Sequence, residues 1–65
     1  MDDFKLSLRA ARVNAGMTQE QAGDGIGVEA ITILNWEKGK AKPKEYAVQA
    51  LCKLYNVPRE LIFLP

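Results

Sequence analysis

Gly27 separates two short helical patterns, and that spacing restricts the fold more than any other feature of the chain. Thr18-Gln19-Glu20-Gln21 opens the first pattern, with Thr18 and Gln21 spaced for a reciprocal capping box. The second runs from Glu29 or Ala30 to Lys38, and Gly39 stops it. Between them the chain must reverse within a few residues. Glycine is the residue that takes a left-handed backbone there without a steric penalty.

At 65 residues the chain makes one small domain, residues 1–65, with a thin core. A chain of that size buries only about 60% of the surface it exposes when unfolded. A single cysteine, Cys52, rules out an internal disulfide, and the absence of histidine removes the commonest zinc partner. Apolar packing must then supply the stability, and neither a metal nor a cofactor is expected. Cys52 reads as a small buried core residue.

A lone thiol in an apolar context fits a reducing cytoplasm better than secretion. No apolar run approaches the ~20 residues needed to span a bilayer, and Met1-Asp2-Asp3 is unlike a signal peptide. No membrane partner is expected.

The net charge of +1 argues for no partner by itself, but its distribution is uneven. Residues 18–37 carry Glu20, Asp24, Glu29 and Glu37 with no basic residue. Lys38, Lys40, Lys42 and Lys44 then follow within a stretch that holds no acid. A nearly neutral total can conceal a concentrated basic edge. Charge alone leaves a solvated loop equally open.

Along the rest of the chain, Phe4-Lys5-Leu6-Ser7-Leu8 alternates apolar and polar, which suits a short extended arm before residue 7. Ser7 is placed to cap a first helix over Leu8 to Ala15, ended at Gly16. The second helix is intrinsically weak, because Gly23 and Gly25 each cost about 1 kcal/mol relative to alanine. Pro43 precedes a fourth helix, Lys44 to Tyr55, whose Ala47, Val48, Leu51, Cys52 and Tyr55 recur at three- and four-residue steps. Pro58 suits the first turn of a last short helix through about Ile62. The expectation is an all-α bundle of about five short helices.

Two helices joined by a glycine turn over residues 18–38 form a helix-turn-helix, which can press its second member into a DNA major groove. Lysines beyond the end of that helix would then meet the flanking phosphates. The same residues carry a resemblance. Ala15-Gly16-Met17-Thr18-Gln19-Glu20-Gln21-Ala22, Ile26-Gly27-Val28, Ile33, Trp36-Glu37-Lys38-Gly39, Pro43, Leu51 and Tyr55-Asn56-Val57 look like the phage repressor/Cro-type (XRE-like) helix-turn-helix family. It covers about residues 8–63 without a gap. The ends are similar to short regulators from prophages and mobile elements of Gram-positive bacteria.

The resemblance implies a lambda-repressor-like fold and sequence-specific binding of double-stranded DNA by a bacterial or phage transcriptional regulator. It implies that Val28, Ile33 and Trp36 face the core. Gln19, Glu29, Ala30, Ile31, Leu34 and Asn35 would face bases, with Asn35 able to pair with adenine and the apolar residues able to touch thymine methyls. Thr18, Lys38, Lys40, Lys42 and Lys44 would lie against phosphates. Arg12 and Glu37 would form a mostly buried ion pair between helices one and three; the alternative is two unrelated surface charges. Few base contacts per module favour a homodimer on a pseudo-palindromic site.

Three positions depart from the family pattern. Alanine stands at Ala22 where leucine is usual, and Gly23 replaces an alanine, which suggests weaker packing of helix two. Glu29 occupies the cap usually held by serine or threonine, and neither arginine nor glutamine follows it on helix three. Apolar Ile31 and Leu34 fit a second reading, a protein-interaction module that binds a partner regulator. Phe63 and Leu64 either close the core against Phe4 and Leu6 or form a dimer contact. An enzyme is not expected: Cys52 has no histidine to activate it, and Gly23-Asp24-Gly25-Ile26-Gly27 has no preceding strand to make it a phosphate loop. No small-molecule substrate is implied.

Overall fold

A computed structural model of the chain describes residues 5–65. Four α-helices follow in order: α1 (Leu8–Asn14), α2 (Gln19–Ile26), α3 (Ala30–Lys38) and α4 (Glu45–Tyr55). A single 3₁₀ turn, Arg59–Leu61, comes after them. Their apolar faces meet in a core of Leu8, Ala11, Ala22, Ile33, Val48, Leu51, Cys52, Tyr55 and Ile62.

Local signals start and stop these helices. The Ser7 hydroxyl accepts from the Ala10 N–H at 3.0 Å and opens α1. At α2 the capping box is complete: Thr18 Oγ1 accepts from the Gln21 N–H, and the Thr18 N–H donates to Gln21 Oε1. Gly27 and Gly39 hold φ of 81° and 77° and end α2 and α3, while Asn56 ends α4 at φ 60°.

The fifth helix is a correction. Pro58 has ψ 143°, an extended value, and only the one 3₁₀ turn forms beyond it. Ile62 is pulled straight because it bridges Leu6 in parallel. The Leu6 N–H donates to Leu61 O at 2.6 Å and the Phe63 N–H to Leu6 O at 3.0 Å. The chain satisfies its backbone across to the other end rather than by continuing a helix. Arg59 fastens this turn to α4, with Nε 2.8 Å from Glu45 Oε2 and Nη1 donating to Ile62 O.

The arm expected before residue 7 is extended where it is described, at Leu6; residues 1–4, Phe4 included, lie outside the described residues. Ile62 closes the core from the C-terminal side, Leu64 packs half-buried against it, and Phe63 points outward at 47% exposure.

Gly23 also needs correcting. A Cβ there would run into the Val28 carbonyl oxygen, so glycine brings α2 tight against the α2–α3 connection rather than loosening it. One at Gly25 would sit 2.8 Å from Leu54 Cδ2 on α4. The two glycines that weaken α2 as an isolated helix let it pack closely on both neighbours. Ala22 is fully buried, with Met17 and Trp36 half-buried against the same core.

Candidate nucleic-acid interface

The α2–α3 turn fixes how α3 is presented. The Gly27 and Val28 N–H groups both donate to Gly23 O, at 2.8 and 2.9 Å, and Glu29 leaves the turn extended. Ile33 is then 1% exposed and sits in the core, with Val28 and Trp36 packed half-buried beside it. Ile31 is 54% exposed. Ala30, Leu34 and Asn35 are half-buried, and neither Ala30 nor Leu34 joins the core cluster. The glutamate at the α3 N-cap makes no side-chain cap bond, so its exposed carboxylate is not spent on the helix end.

Lys38 at the end of α3 and Lys40, Lys42 and Lys44 in the loop to α4 are all exposed, and buried Pro43 pins that loop near its far end. The Asn35 carbonyl anchors the start of that loop, accepting from the Lys40 N–H at 2.9 Å and the Ala41 N–H at 3.4 Å. One residue thus offers its side chain on α3 and its backbone to the lysine segment.

Behind α3, Glu37 takes Arg12 Nε at 2.7 Å on Oε2 and Arg12 Nη2 at 3.2 Å on Oε1. Arg12 Nη1 donates to Met17 O at 2.8 Å. The hydrogen bond to Glu37 raises the Arg12 pKa above its ordinary value, against the opposing effect of burial. α1 is thereby tied to α3 and to the start of α2.

Sequence reasoning missed what Gln19 does: its Nε2 donates to Glu37 Oε1 at 3.1 Å. A carboxylate only accepts, so the amide nitrogen must face Glu37, and the amide orientation is fixed. Composition in this region offered no signal for the contact. Thr18 is exposed at the cap, its oxygen engaged by the Gln21 N–H and its hydroxyl proton still able to donate.

Tyr55 is a second residue with more than a packing environment. It is 4% exposed, and its hydroxyl has no hydrogen-bond partner among the described residues. Burial, reinforced by the negative charge of Glu37, pushes its pKa up to about 12. Burial likewise pushes the Cys52 thiol up, as suits a core residue. Among the described residues no group of histidine, cysteine or carboxylate side chains could hold a metal ion. No described helix is long and apolar enough to cross a membrane.

Residues 6–62 match the model of a helix-turn-helix domain, and the chain belongs to that family. It is similar to the cryptic phage CTXphi transcriptional repressor RstR of Vibrio cholerae, 42% identical over 55 residues. That match covers 85% of this chain and 50% of the repressor, so the chain spans half the length of that relative. It is also 33% identical over 61 residues to an uncharacterized HTH-type transcriptional regulator of Archaeoglobus fulgidus, covering 94% of this chain and 87% of that protein. No solved structure matches the chain.

Proposed function

We propose that this domain binds double-stranded DNA sequence-specifically, laying α3 in the major groove with the lysine segment against the adjoining phosphates. The observation that carries the reading is the Asn35 linkage: the outward edge of α3 and the four-lysine segment adjoin at one end of the helix, joined through one carbonyl. Lys38, Lys40, Lys42 and Lys44 supply affinity that is insensitive to sequence, and Thr18 adds a hydroxyl donor at the start of α2. Gln19, Glu29, Ala30, Ile31, Leu34 and Asn35 supply discrimination.

The regulatory outcome is repression, the activity named for the Vibrio relative. Two copies bind a pseudo-palindromic site with half-sites roughly one helical turn apart, because one α3 offers too few base contacts for a specific site. Selection from a random duplex pool, followed by titration at several salt concentrations, tests the whole reading. A recovered consensus and a log–log salt slope of about −0.9 per neutralised phosphate are the expected results. No binding even at low salt would refute it.

A second reading is favoured by the exposure of Ile31: α3 docks on a partner protein through its apolar edge. Duplex binding that is unaffected by changes at Ile31, Leu34 and Asn35 would support it.

A further inference from the structure

The outward edge of α3 is chemically narrow. At 100° per residue, Ala30, Leu34, Ile31 and Asn35 follow one another across an arc of about 140° on the helix surface. Ile31 is the one large apolar side chain of α3 that is more than half exposed, and Ala30 and Leu34 flank it outside the core cluster. The only cation on α3 is Lys38, which shares this arc but stands at the last position of the helix, one turn beyond Leu34, where the chain passes into the lysine segment. Asn35 is the single amide on the edge.

Each base asks for something different in the major groove. Guanine is read by donation from arginine or lysine to O6 and N7, adenine by the two-pronged amide of asparagine or glutamine, and thymine by apolar contact with its 5-methyl. Across Ala30, Leu34 and Ile31 this edge has no side-chain donor for guanine. It has three apolar side chains, then one amide.

We infer that α3 selects its site chiefly through thymine 5-methyl groups, with Ile31 as the central contact and Asn35 making the adenine pair beside it. The inference rests on the DNA-binding reading above and names the ligand more closely: an A·T-rich duplex with methyls under the middle of α3. A protein groove is the weaker occupant. A specific protein interface needs roughly 800 Å² from each partner, and one exposed isoleucine between two half-buried residues is a thin contribution to that.

Deoxyuridine tests the point, since it lacks only the methyl and keeps every hydrogen-bonding group of thymine. A duplex selected with this protein from a random pool is resynthesised with deoxyuridine at each thymine in turn. Removing a contacted methyl weakens binding about fourfold at each thymine under the apolar edge, and thymines outside it are silent. With Ile31→Ala protein, the penalty disappears at the thymine beneath residue 31 and persists elsewhere. Ile31→Val, a smaller trim at the same exposed position, gives an intermediate penalty. Specific binding that is indifferent to deoxyuridine everywhere, or a consensus without thymine, overturns the inference while DNA binding stands. Failure to bind even the unselected pool at low salt overturns both.

Discussion

Arg12 and Glu37 lie 25 positions apart and meet through two guanidinium nitrogens, the shorter contact at 2.7 Å, with side chains only 10% and 3% exposed. The pair holds α1 against α3 from behind, and Gln19 joins it from α2. Glu37 therefore touches all three helices of the N-terminal half.

Breaking that pair from one side should be costly. Arg12→Ala or Glu37→Ala leaves a buried charge without compensation, and the expected loss is about 3–5 kcal/mol in urea unfolding. Removing both together with apolar replacements, Arg12→Met with Glu37→Leu, should restore most of it. A single replacement costing under about 1 kcal/mol would show that solvent already screens the pair.

Alkaline pH should weaken the fold through Tyr55. Its hydroxyl is pushed from 10.0 to about 12 in the folded protein. The folded state then holds a proton that the unfolded state has lost between about pH 10 and 12, so stability is fully present below the unfolded pKa and falls as pH rises through that window. Tyr55→Phe should flatten this decline and cost less than about 1 kcal/mol at neutral pH, since the hydroxyl has no protein partner to give up. Equilibrium unfolding at pH 7 and pH 11 reads both effects.

Gly23→Ala should destabilise the domain, although alanine is the better helix former by about 1 kcal/mol. The added Cβ meets the Val28 carbonyl oxygen, which is backbone in the α2–α3 connection. Overpacking of this kind costs about 1–3 kcal/mol. An increase in Tm would show that the connection can shift freely.

The lysine segment and the α3 edge should separate in binding experiments. Lys40→Gln with Lys42→Gln should weaken binding to every duplex alike and flatten the salt slope by about 0.9 for each phosphate no longer neutralised. Asn35→Ala should leave the slope alone and reduce discrimination at one base pair by about 1–3 kcal/mol. Each set altering the other's readout would refute the division of labour.

What could be read from the chain was what its local chemistry writes down. Ser7, the Thr18–Gln21 box, Gly27, Gly39 and Asn56 set helix ends through atoms a few residues away, and those ends fall close to where the spacing put them. Contacts between distant segments were not legible. The Leu6–Ile62 bridge turned an expected fifth helix into one 3₁₀ turn, because it draws on backbone groups that any residue carries. The close approach at Gly23 and the fixed amide of Gln19 depend on how α2 sits against its neighbours. Among the proposed base-facing residues, the periodicity separated Ile31 from buried Ile33, yet could not foresee that Ala30, Leu34 and Asn35 would be only half open.

Because the Asn35 carbonyl receives both the Lys40 and Ala41 N–H groups, fraying the last turn of α3 would disturb the amide and slacken the lysine segment in a single event. Side-chain replacements leave this backbone joint intact and can alter reading or gripping alone; on the proposed reading, only a change that loosens the joint itself would lower grip and fidelity together.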